Sequence, residues 1–166
     1  TSGHSILNIG VANSLGPALF TEFLGGFLKQ NRNVRIVIHQ IDQMMSEEGI
    51  LSGFLDACIC TKRHVKNHKL KSSSLFRERI LVATARDHPF AEQESVTLEQ
   101  LAEEAYLDRL NCEFRPDFLK MVETEELDIE PRIQSDREDW VQQLVATGHG
   151  ICTLGEFSIV VPGIVL

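Results

Sequence analysis

The chain has 166 residues, of which 43% are apolar, so it can bury a hydrophobic core but is small for two independent domains. Sixteen Lys and Arg against 24 Asp and Glu leave a net charge of −8, which argues against direct binding to nucleic acid phosphates. No apolar run reaches the roughly 18 residues of a membrane span, and the first residues lack the order of a signal peptide. We therefore expect a cytoplasmic protein without a membrane partner.

The first half of the chain alternates between strand-like and helix-like segments. Strands are predicted at 5–11, 34–40 and 55–61, and helices at 15–30 and 44–52. Such alternation is typical of parallel βαβ units, whose functional loops lie beyond the C-terminal ends of the strands. This part of the chain is therefore predicted to form an α/β structure with a parallel sheet.

The first predicted helix carries more apolar residues than a core-facing stripe requires. They cover much of its circumference and comprise Leu15, Leu19, Phe20, Phe23, Leu24, Phe27 and Leu28. Two interpretations stay open at this point. The helix is either buried between the sheet and a neighbouring loop, or it contributes to a subunit interface.

The second half opens with an apolar strand, a turn and a capped helix. Phe76 and residues 80–83 have the length and β-branching of a strand, and Arg86-Asp87-His88-Pro89 ends it. Thr97-Leu98-Glu99-Gln100 has the form of a capping box. Further segments alternate in the same way, with strands at 106–110, 131–135 and 150–154, helices at 115–125 and 137–147, and the start of a strand at 164–166.

Several motifs in this order resemble the effector-binding domain of LysR-type transcriptional regulators. The strand, His-Pro-Phe turn and "VTLEQLA" helix are similar to the middle of that domain. The opening "LNIGVANSLGPALF", the segment "SGFLDACIC" and the closing "SDREDWVQQLVATGHGICTLGE" resemble other parts of it. Gly155 departs from the family, which usually has proline at this place.

The resemblance implies a type 2 periplasmic-binding-protein-like fold, in which two Rossmann-like α/β lobes are joined by crossing strands and an effector lies in the cleft. It assigns residues 1–78 to the N-terminal part of lobe one and residues 79–166 to lobe two. It also implies that a helix-turn-helix domain precedes Thr1. The return strand and last helix would follow Leu166, so we expect a fragment that is incomplete at its C-terminus.

The function implied by the resemblance is that of a regulatory domain, which binds a small, anionic effector or senses an oxidant. It would act as a homodimer, or as a homotetramer at full length, and contact promoter DNA only through the missing domain. RNA polymerase is a further candidate partner. The alternatives are a solute-binding protein of a transport system and a thiol-based redox enzyme. No hydrolase, P-loop or zinc-protease motif occurs, so we expect neither enzyme activity nor a cofactor.

Helix N-termini at strand ends present free N–H groups with partial positive charge, which attract small anions. The residues at these ends are the predicted effector contacts, and the resemblance places their loops in the cleft: Asn13, Ser14, Gln43, Thr61, Asn111, Cys112, Ser135 and Asp136. The alternative is that the Ser and Asp side chains only cap their helices, which applies to Ser14, Asp42 and Asp136.

Cys112 is the predicted redox-sensing residue. It follows an apolar strand and has Arg109 and Arg115 nearby, a setting that lowers the pKa of a thiol, although Glu113 opposes this. The segment "YLDRLNCEFR" resembles the loop of hydrogen-peroxide-sensing LysR-type regulators, which carry a resolving cysteine nine residues later. Met121 stands there, so a local disulfide is not expected. A partly buried thiol without a redox role is the alternative.

The other cysteines are scattered as in a reduced cytoplasmic protein and are expected to pack in the core: Cys58, Cys60 and Cys152. His64 and His68 have an H-x3-H spacing, but the lysines around them would repel a cation. No metal site is therefore predicted. Trp140 is expected to pack in the core or at a hinge.

Overall fold

The computed structural model describes residues 5–42, 45–61 and 66–166, and the chain divides into two compact units, Thr1–Arg77 and Glu78–Leu166. The assignment of residues 1–78 and 79–166 to two lobes stays a prediction. None of the helices in the described ranges is both long enough and apolar enough to span a bilayer.

The first unit contains a three-stranded parallel sheet in the order β2-β1-β3. Its strands are β1 (Ser5–Ala12), β2 (Val34–Ile41) and β3 (Ala57–Ile59). Helix α1 (Ala18–Gln30) connects β1 to β2, and α2 (Met45–Leu51) connects β2 to β3. The predicted parallel α/β arrangement is confirmed for this part of the chain.

Helix α1 begins three residues later than the apolar pattern predicts. The Leu15 N–H donates to the Ala12 carbonyl at 3.1 Å, which forms a turn, and Pro17 occupies the N-cap of α1. Proline suits a helix start because its φ is already helical and it has no N–H to satisfy. Ser14 therefore lies outside the helix start and is not its cap.

The interior of the first unit depends on two glycines. Leu55, 3% exposed, lies so close to Gly10 in β1 and Gly49 in α2 that a Cβ at either would stand 2.7 or 2.6 Å from Leu55 Cδ1. Helix α1, in contrast, contributes no buried residue, and Phe23 is 68% exposed. The interpretation of α1 as a buried helix is therefore wrong.

The second unit combines antiparallel and parallel pairing. Its strands are β4 (Ile80–Ala85), β5 (Leu107–Arg109), β6 (Ile133–Ser135), β7 (Cys152–Gly155) and β8 (Ile164–Val165). Strand β4 pairs antiparallel with β7 and β8, and β5 pairs parallel with β6. A parallel bridge between Tyr106 and Ile151 connects β5 to β7. The pairing is thus mixed, because β4 runs against both of its neighbours.

The helices of this unit are α3 (Leu98–Ala102), α4 (Arg115–Thr124) and α5 (Glu138–Ala146), and Pro89–Glu92 forms one 3₁₀ turn. The predicted capping box is confirmed. The Gln100 N–H donates to Thr97 Oγ1 at 3.3 Å, and the Thr97 N–H donates to Gln100 Oε1 at 2.9 Å.

Helix α5 supplies one side of the main core. Val141 and Val145 are fully buried in a cluster with Ala83, Leu107, Cys152 and Leu154. Trp140 lies on the other side of the helix and is 59% exposed, with the Arg137 guanidinium 5.8 Å from its ring centroid. The expectation of core packing is therefore confirmed for Cys152 and wrong for Trp140.

The Glu78 carboxylate fills the space that a side chain at residue 155 would occupy. A Cβ at residue 155 would overlap the Glu78 carboxylate and stand 2.7 Å from Ser158 Oγ. That carboxylate accepts the Phe157 N–H at 3.0 Å and the Ser158 hydroxyl at 3.3 Å. Because Gly155 has no side chain, the Glu78 carboxylate can lie close enough to accept these two hydrogen bonds.

Gly150 marks a second close approach of the backbone. A Cβ there would overlap the Ala105 carbonyl oxygen and stand 2.9 Å from Leu107 Cγ. The Ile151 N–H donates to the same carbonyl at 2.9 Å, so β7 can join β5 only through a residue without a side chain.

We expect Gly150→Ala to lower the free energy of unfolding by roughly 1–3 kcal/mol, because the added methyl group forces the β5–β7 bridge apart. Urea titration followed by circular dichroism measures this change. Gly25→Ala is the matched control, since Gly25 lies in α1, a Cβ added there would have no neighbouring atom within 4 Å, and the helix should gain propensity. An unchanged stability of Gly150→Ala would contradict the prediction.

Candidate functional site

The C-terminal ends of β5 and β6 lie side by side in the second unit. Their parallel pairing aligns Arg109 with Ser135, and the Asn111 side-chain amide donates to the Asp136 carbonyl at 3.4 Å. This strand end therefore gathers the four predicted effector contacts of the second unit, namely Asn111, Cys112, Ser135 and Asp136.

Two consecutive turns shape the loop between β5 and α4. The Cys112 N–H donates to the Arg109 carbonyl at 3.1 Å, and the Arg115 N–H donates to the Cys112 carbonyl at 3.1 Å. Helix α4 then begins at Arg115 with Phe114 at its N-cap. The turns leave Cys112 partly exposed and Glu113 only 6% exposed.

Asp108 anchors this loop to both strands. Arg115 donates to its two carboxylate oxygens at 2.9 Å through Nε and 2.7 Å through Nη2, and Gln134 donates at 2.9 Å. Burial alone would raise the pKa of Asp108, but the hydrogen bonds from Arg115 and Gln134 and the Arg115 charge outweigh it and lower the pKa. Asp108 is thus an anion that joins β5, β6 and the start of α4.

Arg109 is a buried cation, 4% exposed, at the end of β5. Its Nε donates to Glu138 Oε2 at 2.8 Å, and its Nη1 donates to the Thr153 carbonyl at 2.6 Å. The buried Nη2 has no hydrogen-bond partner in the described part of the chain. The guanidinium therefore retains one nitrogen for an additional acceptor.

Gln142 holds Glu138 in position. It is fully buried, and its side-chain amide donates to Glu138 Oε1 at 3.0 Å and to the Ser158 carbonyl at 2.9 Å. Its oxygen accepts the Val160 N–H at 2.8 Å. Arg109, Glu138 and Gln142 thus form one connected polar network behind the strand end.

This network was not predicted from the sequence as part of the site. A usable signal was present, because Asp108 and Arg109 are charged residues in the middle of a segment predicted to be a strand. Charged residues are rarely buried without a partner, so the pair pointed to ion pairs inside the unit.

Cys112 differs from the prediction. Burial raises the pKa of its thiol above the ordinary value, and the Arg109 charge and the Phe114 N–H oppose this only in part, while Glu113 raises the pKa further. Arg115 is bound to Asp108. The Arg109 charge does lower the pKa of Cys112, but the expectation that this pKa falls below its ordinary value is wrong, because burial outweighs that charge.

In the first unit, the predicted contacts Asn13, Ser14 and Thr61 follow β1 and β3, which are adjacent parallel strands. Ser14 is 3% exposed, and the buried Thr61 hydroxyl has no hydrogen-bond partner among the residues that are described. Gln43 lies outside the described residues.

Of the three residues that could serve only as helix caps, Ser14, Asp42 and Asp136, the structure shows a cap for Asp42. Asp42 Oδ1 accepts the Met45 N–H at 3.0 Å at the start of α2. At the start of α5 the N-cap is Arg137, not Asp136, and the Arg137 N–H donates to Ser135 Oγ at 3.0 Å.

Possible metal ligands do not converge in the described ranges, where no group of three or more His, Cys, Asp or Glu side chains could hold an ion. His64 lies outside those ranges. Cys58 and Cys60 are not joined in a disulfide and are partly exposed, so they are less buried than core packing predicts.

The fold and the strand-end site define an α/β domain of the ligand-binding class. The family described as "LysR substrate binding domain" matches residues 2–162. The chain belongs to this family, which has the type 2 periplasmic-binding-protein-like fold. The resemblance inferred from the motifs is thereby confirmed, and the alternatives of a transport protein and a thiol enzyme are not supported.

Two Bacillus subtilis proteins are similar in sequence. The uncharacterized HTH-type transcriptional regulator YybE is 28% identical over 102 residues, which are 61% of this chain and 35% of that protein. The HTH-type transcriptional regulator YtlI is 28% identical over 113 residues, 66% of this chain and 36% of that protein. The chain thus spans little more than a third of these relatives.

Solved structures share the fold at low identity. The Synechocystis PCC6803 CcmR regulatory domain in complex with 2-PG has a TM-score of 0.81 and 16% identity, covering 98% of this chain and 79% of that one. The QuiR effector-binding domain in complex with shikimate has a TM-score of 0.72 and 17% identity, and the match covers 94% of this chain and 76% of that one. Reduced OxyR has a TM-score of 0.71 and 21% identity, and the match covers 99% of this chain and 79% of that one.

We expect the Cys112 thiol to be alkylated by iodoacetamide more slowly than a cysteine in the unfolded chain near neutral pH. Its raised pKa leaves a small thiolate fraction, so the rate should keep rising above about pH 8.5, the ordinary pKa of a free thiol. Peptide mass spectrometry follows Cys112 itself, with the urea-unfolded chain as control. Faster alkylation in the folded chain at neutral pH would contradict this prediction.

Proposed function

We propose that the chain senses a small anionic effector at the C-terminal ends of β5 and β6, as the regulatory domain of a LysR-type transcription regulator. The observation that carries this proposal is the free Nη2 of Arg109. A buried polar group without a hydrogen-bond partner costs free energy, and a ligand acceptor would remove that cost.

The electrostatics of Arg109 favour an anion even in a chain of net charge −8. Hydrogen bonds between ionised groups are stronger than neutral ones, and the low dielectric of a buried site increases them further. Glu138 occupies only the Nε side of the guanidinium. An effector carboxylate or phosphate would take the remaining nitrogen.

The polar residues at the same strand end complete the proposed contacts. Asn111, Ser135 and Asp136 belong to the same strand end as Arg109, and Cys112 lies on the loop between them. The predicted contacts of the first unit, Asn13, Ser14, Gln43 and Thr61, remain part of the proposal. Oxidant sensing at Cys112 is the weaker candidate, because burial raises the pKa of its thiol.

Binding would act through the network behind Arg109. Glu138 is the first residue of α5, and Gln142 connects it to the segment that contains Ser158 and Val160. An effector that binds one arrangement of this network more tightly than another would shift the balance between them, and only by that difference in affinity. We propose that this shift is passed to a helix-turn-helix domain on promoter DNA, without turnover of the effector and in the cytoplasm.

A second copy of the chain is the proposed protein partner. Leu19, Phe23 and Leu28 are exposed on α1, which has no buried residue. Exposed apolar patches mark association surfaces, and LysR-type regulators act as oligomers. We therefore propose that α1 forms part of a homodimer interface, with a homotetramer and contact with RNA polymerase in the full-length protein.

Arg109→Lys tests the effector site. We expect a panel of small carboxylic acids, screened by thermal shift, to include members that stabilise the wild-type chain, because they bind only the folded state. Lysine keeps the charge but loses the free Nη2, so the affinity for such an acid should fall about tenfold or more.

Arg137→Lys is the matched control, since Arg137 is exposed and bonded to Asp139. Circular dichroism checks that both variants are folded. Equal stabilisation of the wild type and Arg109→Lys by every acid would contradict the proposed site.

Phe23→Glu tests the dimer. A charge at the centre of the exposed α1 surface should convert a dimer into a monomer, as measured by sedimentation velocity. Ala18→Glu adds the same charge on the side of the same helix that faces away from Phe23, and should leave the dimer intact. A wild-type chain that sediments as a monomer at high micromolar concentration would contradict this proposal.

A further inference from the structure

Glu113 is a second buried polar group at the same strand end. The residue is 6% exposed, and both carboxylate oxygens are buried without a hydrogen-bond partner in the described ranges. Acidic side chains are almost never buried to this extent unless they are paired, because removing a carboxylate from water is costly. Glu113 therefore requires a donor that the described residues do not supply.

The nearby arginines are committed to other carboxylates. Arg115 is bound to Asp108 at 2.7 Å, and Arg109 is bound to Glu138 at 2.8 Å. Neither contributes an ion pair to Glu113 within the described part of the chain. Among the described residues, Arg109 at the end of β5 thus has a donor without a partner, and Glu113, four residues later in the loop, has two acceptors without a partner.

Glu113 and Arg109 both border Cys112. The charge of each acts on the Cys112 thiol, Arg109 lowering its pKa and Glu113 raising it. The two turns that connect residues 109, 112 and 115 keep this loop short. Arg109 Nη2 and the Glu113 carboxylate thus flank Cys112 along one short stretch of chain, and both are shielded from solvent, so a small molecule would contact both only after this loop opens.

We propose that the effector is an amino- or hydroxy-carboxylic acid, whose carboxylate binds Arg109 Nη2 and whose ammonium or hydroxyl group donates to Glu113. This inference rests on the proposed function. A plain carboxylate would satisfy Arg109 but bring a second negative charge towards Glu113, which is unfavourable in a buried site. An ammonium group offsets that repulsion with its own positive charge, and either donor group supplies the missing hydrogen bond.

The first experiment uses the ligand-free chain. Glu113→Gln and Glu113→Leu should raise the thermal midpoint by a few degrees, because each removes a buried unpaired charge. Glu123→Gln, on the exposed side of α4, is the control and should leave the midpoint unchanged. A lower midpoint in both Glu113 variants would mean that Glu113 has a structural partner, and this would overturn the inference.

The second experiment compares acids that share one carbon skeleton. Isothermal titration calorimetry is performed with propionate, lactate and alanine, and with succinate, malate and aspartate. In the wild type, a donor-bearing member should bind roughly tenfold more tightly than its parent acid, the ratio expected for a hydrogen bond to a charged group. In Glu113→Gln, the preference for the ammonium-bearing member should disappear.

The outcomes separate this inference from the proposed function. Parent acids that bind as tightly as their amino and hydroxy derivatives, with a dependence on Arg109 but none on Glu113, would overturn the inference and leave the proposed function intact. Failure of every acid to bind would overturn this inference, whereas the proposed function would still be decided by the wider panel tested with Arg109→Lys.

Discussion

The Asp108 carboxylate is the interaction on which the second unit depends. It accepts hydrogen bonds from Arg115 at the start of α4 and from Gln134 in β6, while its own backbone belongs to β5. One buried anion thereby joins three elements. Because buried carboxylates require this degree of satisfaction, the loop from Leu110 to Phe114 is held at both ends and its side chains have a defined position.

Arg109 is the residue on which the proposed function rests. Its neighbour Asp108 is fully satisfied, whereas Arg109 keeps one unpaired nitrogen and Glu113 keeps an unpaired carboxylate within the described ranges. Unsatisfied groups beside a well-satisfied anchor are typical of binding sites, where folded stability is lower than the same framework could provide. In the proposed function, these two unpaired groups are the ones that an effector would complete.

Local patterns predicted the order of the elements and the capping box at Thr97, because periodicity and capping depend on neighbours in sequence. Strand direction in the second unit was not predictable in this way, since β4 pairs with β7 and β8, which lie far along the chain. The Cys112 prediction failed for a related reason. Burial raises the pKa of the thiol more than the Arg109 charge lowers it, and burial depends on tertiary packing that neighbours in sequence do not show.

The shared volume of Gly155 and Glu78 makes two distant positions dependent on each other. A proline at residue 155 would leave no room for the Glu78 carboxylate, which holds the Phe157 N–H and the Ser158 hydroxyl. A chain with proline at this position must supply other acceptors for the Phe157 N–H and the Ser158 hydroxyl. A side chain at residue 155 therefore requires a different residue at position 78, and a change at either position alone would loosen the place where β7 ends.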